Sequence, residues 1–130
     1  MNVHHASCSC GQLRLVAHGD PLGVSMCHCL ACQRRTGSTY GVQARFATAD
    51  VEITGASTEY VRIGDEGTAC RFHFCPQCGA TVYYWNGDGS WRAVPVGAFA
   101  DPAFPPPRVS VYEERRHPWV GVPEGAEHIF

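Results

Sequence analysis

The chain has 130 residues, eight of them cysteine, with a formal charge of −2 and 17% charged side chains. That length predicts a single domain over residues 1–130, burying about two-thirds of its unfolded surface. Its clustered bases are only the pairs Arg34-Arg35 and Arg115-Arg116, so no phosphate-tracking stripe for nucleic acid is expected, and no apolar run approaches a membrane span.

Taken in chain order, the opening residues "MNVHHASCSCG" lack the apolar core of an export signal, so a cytoplasmic location is expected. Short apolar–polar alternations then recur between turn signals, which predicts a mainly β fold. Residues 12–18 place Leu13, Leu15 and Ala17 on one face of a strand. Residues 30–36 predict one or two helical turns, and 40–46, 58–63, 69–74 and 81–85 are further strands. "NGDGS" at 86–90 carries the Asn-Gly signal of a hairpin turn before a strand over 91–99. "DPAFPPP" at 101–107 cannot continue a ladder, because proline donates no backbone hydrogen bond, and it reads as a surface crossing before a last strand at 109–112.

In a reducing compartment, closely spaced cysteines point to metal rather than to disulfides. They fall into four groups: Cys8 and Cys10; Cys27, Cys29 and Cys32; Cys70 alone; Cys75 and Cys78. The first and last pairs are each followed at once by glycine, in "CSCGQL" and "CPQCGA". A metal-binding knuckle turns sharply after its second ligand, and glycine reaches the positive-φ backbone such a turn uses. Two similar half-knuckles predict a closed site of Cys8, Cys10, Cys75 and Cys78 that clamps distant strands. The middle group, in "CHCLACQRRTG", has three members. Cys70 is the remaining thiol donor for it. If "CRFHF" is a strand, however, Cys70 shares a face with Phe72 and Phe74 and reads as a core thiol. It also lies about 17 Å from Cys75 at roughly 3.4 Å per residue, too far to join that site. His28, between two ligands, points away from the metal toward its surroundings or solvent. His4, His5, His18, His117 and His128 follow no ligand spacing and read as surface or hydrogen-bonded imidazoles.

"SCSCGQLRL", "CHCLACQRRTGS" and "FCPQCGATVYY", in that order, resemble the glutathione-dependent formaldehyde-activating enzyme family, which includes centromere protein V relatives. "VGAFADP" is similar to the family's Gly-x-x-Asp-x-Pro segment, with Ala100 at the aspartate position, and "HPWV" is similar to its C-terminal tryptophan. The resemblance implies small, zinc-stabilised, coiled antiparallel sheets like the β-tent of methionine sulfoxide reductases B. It implies two zinc ions per chain, one on Cys8, Cys10, Cys75 and Cys78 and one on Cys27, Cys29 and Cys32. The implied activity is that of a carbon–sulfur lyase run in reverse, condensing glutathione with formaldehyde to S-hydroxymethylglutathione.

On this reading Cys27, Cys29 and Cys32 carry the catalytic zinc, whose fourth position takes the thiol of glutathione or a related small molecule. Arg34 or Arg35 would hold a substrate carboxylate; as a solvated helix surface they need no function. Thr36, Gly37 and Ser38 form a polar turn beside the metal or simply a helix end. Tyr83, Tyr84, Trp85 and Trp91 read as sheet packing. The rival readings are a non-catalytic module with two structural zinc ions and a protein partner, and a thiol-redox protein using the middle cysteines. Neither nucleic acid nor membrane is an expected partner, and a homodimer stays open.

Overall fold

Period-two alternation becomes strand pairing over most of the chain in the computed structural model, which describes residues 2–130. The strands are β1 (Val3–Ser7), β2 (Arg14–His18), β3 (Gly23–Cys27), β4 (Gly41–Ala47), β5 (Val51–Thr54), β6 (Thr58–Ile63), β7 (Ala69–Phe74), β8 (Thr81–Asn86), β9 (Trp91–Pro95), β10 (Val109–Val111) and β11 (Glu127–Ile129). One helix, α1 (Leu30–Thr36), follows β3. The fold is thus mainly β with open sheets. No helix among the described residues is long and apolar enough to cross a membrane.

β1, β2 and β5 form a small antiparallel sheet in that order, and the other eight strands form one sheet in the order β11-β10-β3-β4-β9-β8-β7-β6. In the large sheet β10 runs parallel to both β3 and β11. The core lies between the two sheets. Leu13, Leu15 and Ala17 point into it, each fully buried, and pack in one cluster with Phe46, Val82 and Val94.

Four strands escape the sequence reading: β1, β3, β5 and β11. VHHAS and EHI carry little apolar alternation, and the alternation in GVSMC and VEIT runs over only five and four residues. Their partners' ladders, rather than their own propensity, decide their state. The strand expected over 91–99 ends at Pro95, after which Val96–Phe99 winds as a 3-10 turn and sends Phe99 inward. The proline-rich crossing is not wholly superficial either. Phe104 is buried, stacks on Phe99 at 4.6 Å between ring centres, and meets the His4 ring at 5.1 Å. His4 is half-buried, and its Nε2 is buried without a partner rather than satisfied.

The β5–β6 turn is fitted against the β1–β2 loop with no space to spare. Gly55 has φ +101°, and a Cβ there would lie 2.0 Å from the Gln12 carbonyl oxygen. Gln12 in turn bonds Ala56 twice: its side-chain amide donates to the Ala56 carbonyl (2.7 Å) and its Oε1 accepts from the Ala56 N–H (2.9 Å). Gly55→Ala must displace backbone, so a loss of about 2–4 kcal/mol is expected by denaturant titration. Gly11→Ala, also at positive φ but facing open space, should cost only about 1 kcal/mol.

Candidate metal centre and adjoining cleft

Two hairpin loops build the first thiol cluster. The β1–β2 loop carries Cys8 and Cys10, and the β7–β8 loop carries Cys75 and Cys78. The loops close alike. The Cys8 N–H donates to the Leu13 carbonyl (2.9 Å) and the Cys75 N–H to the Ala80 carbonyl (3.0 Å), five residues on in each case. Gly11 (φ +86°) and Gly79 (φ +81°) then bond back to the Cys8 and Cys75 carbonyls. Neither glycine is crowded, so what the sequence supplies there is backbone conformation rather than room.

The four sulfur atoms lie within 4.8 Å of one another, with Cys10 3.6 Å from both Cys8 and Cys75. Thiolates about 2.3 Å from a tetrahedral zinc stand about 3.8 Å apart, so the cluster has the right size for that ion. N–H groups already point at the sulfurs: Leu13 at Cys8 (3.3 Å), Gln77 at Cys75 (3.4 Å) and the Gln12 amide at Cys75 (3.0 Å). Burial opposes ionisation of Cys75, but the N–H groups of Cys78 and Gln77 and the Gln12 amide outweigh it and bring its pKa down to about 6.

The second cluster sits where β3 meets α1. Cys27 ends the strand, Cys29 caps the helix with its sulfur accepting from the Cys32 N–H (3.3 Å), and Cys32 stands in the first turn. Among the described residues this cluster has three members. Hydrogen bonds from the Cys27 and Cys32 thiols pull Cys29 far below the ordinary thiol range, while the bond to Cys29 pushes Cys27 far up. The three thiols oppose one another's ionisation, and a bound cation would let all three ionise. Both donor sets therefore suit zinc.

His28 turns away from the sulfurs and is fully buried rather than solvated: its Nε2 meets Ser110 Oγ at 2.9 Å and its N–H bonds Val111. Thr36 donates to the Cys32 carbonyl (2.9 Å), and Gly37 (φ +73°) ends the helix with its N–H on Gln33. Of the remaining imidazoles, His18 pairs with Glu52, His117 meets Gln33, and His128 reaches Glu113.

Arg34 and Arg35, in the last turn of α1, wall a cleft of about 660 Å³ with Ala31. Its other wall is the outer face of β6–β8, where Tyr60, Arg62, Phe72 and Phe74 line it. This corrects the reading of Cys70 as a core thiol. Strand parity does put Cys70, Phe72 and Phe74 on one face, but that face fronts the cleft. Cys70 is half-buried, 3.9 Å from Arg62 Nη2 and 3.8 Å from Asn86 Nδ2, and it joins neither cluster. The Arg35 guanidinium lies over both Phe72 (5.8 Å) and Tyr84 (5.3 Å). Burial raises the Tyr84 phenol, Arg35 opposing and the Cys32 and Cys27 thiols adding to the rise, so the phenol keeps its proton at neutral pH. Tyr83, Trp85 and Trp91 pack as expected, with Tyr83 and Trp85 stacked on His73 at 4.7 and 4.9 Å and Trp91 under Arg45. Of the cleft, sequence reasoning reached Arg34 and Arg35 and missed Arg62, which "TEYVRI" marks only as a strand residue.

A family model described as "Glutathione-dependent formaldehyde-activating enzyme" matches residues 3–115. No curated protein matches the chain. A crystal structure of a Rhodobacter sphaeroides protein is similar in fold, with a TM-score of 0.56 at 22% identity, covering 72% of this chain and 85% of that one.

The two clusters separate by substitution. Cys75→Ala opens the link between two hairpins and should abolish soluble expression. Cys32→Ala should leave a folded protein whose zinc content, by mass spectrometry of the metal, falls from two equivalents to one. Equal unfolding of both variants would make the second cluster as structural as the first.

Proposed function

The chain belongs to the glutathione-dependent formaldehyde-activating enzyme family, and we propose that it is a zinc-dependent carbon–sulfur lyase-type enzyme, similar to S-hydroxymethylglutathione synthase. It would act on an adduct of glutathione, or a related thiol, with formaldehyde or a similar small electrophile. The observation that carries this reading is a juxtaposition on one short helix. Cys29 caps α1, Cys32 stands in its first turn, and Arg34 and Arg35 in its last turn wall the cleft.

Cys27, Cys29 and Cys32 would hold the catalytic ion, and Cys8, Cys10, Cys75 and Cys78 a structural one. Zinc on three thiolates supplies, when bound, a fourth position that lowers the pKa of an incoming thiol. Arg34 and Arg35 offer planar forks that match carboxylates bidentately and anchor the thiol by its acidic ends. A thiol so anchored meets the electrophile at a high effective concentration. In the condensation the sulfur bonds to the formaldehyde carbon, the carbonyl π pair moves to oxygen, and that oxygen takes one proton. A non-catalytic module would call for a fourth protein ligand at the second cluster, and Cys70 stands on the far wall of the cleft beside Arg62.

Exchange spectroscopy by nuclear magnetic resonance on glutathione and formaldehyde, with zinc-loaded protein added, tests the activity. Faster exchange in proportion to protein is expected; no acceleration at any protein concentration removes it. Arg35→Ala should raise the KM for glutathione about tenfold, the value of one charge-assisted contact, with zinc content unchanged.

A further inference from the structure

The large sheet ends on a strand that nothing covers. β6 pairs with β7 on one side and has no neighbour on the other. All of its residues but Arg62 are exposed, among them Val61 and, most openly, Tyr60 (59%) and Ile63 (63%). Proteins ordinarily blunt such an edge with proline, lysine, a bulge or a covering loop. The β6 sequence, "TEYVRI", holds neither proline nor lysine. Its register with β7 runs unbroken from Thr58 opposite Phe74 to Ile63 opposite Ala69. No loop among the described residues bonds its outer backbone groups. The opposite edge of the sheet, β11, is only three residues long.

The two faces of β6 differ. Tyr60 and Arg62 front the cleft, opposite Phe72 and Cys70. Glu59, Val61 and Ile63 point the other way, where Glu59 bonds Arg71 and His73, both at 2.9 Å. Two antiparallel copies related by a two-fold axis normal to the sheet keep each face on its own side, so a residue meets a partner residue of its own parity. Few registers remain. Centring on Glu59 or on Arg62 sets like charges against each other, and centring on Thr58 or Ile63 shortens the overlap. Centring on Tyr60 leaves Arg62 opposite only a threonine. Centring on Val61 sets Val61 against itself on one face and, on the other, Tyr60 opposite the partner's Arg62 twice over. Arg62 enters no ion pair among the described residues, and its guanidinium carbon lies 5.9 Å from the Phe72 ring centre. A second aromatic face would stack on a cation that one ring already attracts.

We propose that β6 is a self-association edge: two copies pair their β6 strands antiparallel about Val61, which joins the two large sheets into one and lays the Tyr60 of each copy over the Arg62 of the other. Because Tyr60 and Arg62 both line the cleft, each cleft gains an outer wall from the partner subunit's Tyr60. This pairing stands or falls independently of the thiol-condensing reading, which needs one chain only.

Sedimentation equilibrium of the zinc-loaded full chain over about 1–200 μM, with a phosphine reductant to exclude disulfide-linked species, tests it. A reversible monomer–dimer equilibrium is expected. Val61→Lys, which sets two ammonium groups on the axis, should raise the dissociation constant at least about tenfold, with zinc content and circular dichroism unchanged. Val61→Glu sets two carboxylates there and should act alike if the first variant does not fold. Tyr60→Glu separates the registers. Centred on Val61, each introduced carboxylate meets the partner's Arg62 and the dimer persists; centred on Tyr60, the two carboxylates face each other and it is lost. A wild type that stays monomeric throughout, or a dimer that neither Val61 variant weakens, overturns the pairing. So does loss of the dimer in Tyr60→Glu, or growth beyond a dimer, the mark of head-to-tail joining of β6 to another edge.

Discussion

The rest of the structure depends on four sulfur atoms that join the loops of two hairpins. One hairpin belongs to the small sheet and the other to the large one, and the core is the space between them. Residues of both sheets pack into one shared core, so each buries its apolar face against the other. The matched knuckles suit a metal ion because their backbones already turn their N–H groups toward the sulfurs. Glycine at positive φ closes each loop, and N–H groups converge on Cys8 and Cys75. A backbone so arranged would leave little reorganisation to metal binding, and more of an ion's affinity would be available as folding energy. Gln12 extends the clamp by tying Cys75 to Ala56 in the turn before β6.

The second cluster inherits its geometry from that frame. A helix of seven residues is far below the length that holds in water without tertiary support. Here the support is specific. Cys29 caps the first turn, Gln33 donates to the carbonyls of His28 and Arg115, and His117 bonds Gln33 in return. Beneath it, β10 pairs in parallel with β3 and places Val111 opposite Cys27, while Ser110 binds His28. Residues 109–117 thus brace the region that carries the three-thiol cluster.

The cysteine spacings, the trailing glycines and the Leu13–Leu15–Ala17 face were legible because each depends on local chemistry. A ligand pair, a positive-φ turn and a period of two all lie within a few residues. What escaped depends on which face of an element is covered. Parity correctly groups Cys70, Phe72 and Phe74, but β7 is packed on both faces: His73 stacks with Tyr83 and Trp85 on one, and the phenylalanines front the cleft on the other. Alternation cannot tell a core from an apolar binding wall. Arg62 was hidden for a related reason, since its partners, Phe72 and the end of α1, are distant in sequence. The edge strands β1 and β11 carry almost no pattern and owe their state to their neighbours.

The short helix also sets a ruler. At a rise of about 1.5 Å per residue, Cys32 and Arg35 are about 4.5 Å apart along the axis and Cys29 and Arg34 about 7.5 Å. On the proposed function, a thiol and an acidic group of one small molecule would be gauged by a single rigid element rather than by two loops that move independently. Rigid support of this kind is what keeps reacting groups in register. The far wall, with Arg62, belongs to the sheet that the four-thiol clamp fixes. The distance between α1 and β6 is then a property of the whole fold, and on the proposed function a looser four-thiol clamp would disturb the cleft before it unfolded the chain.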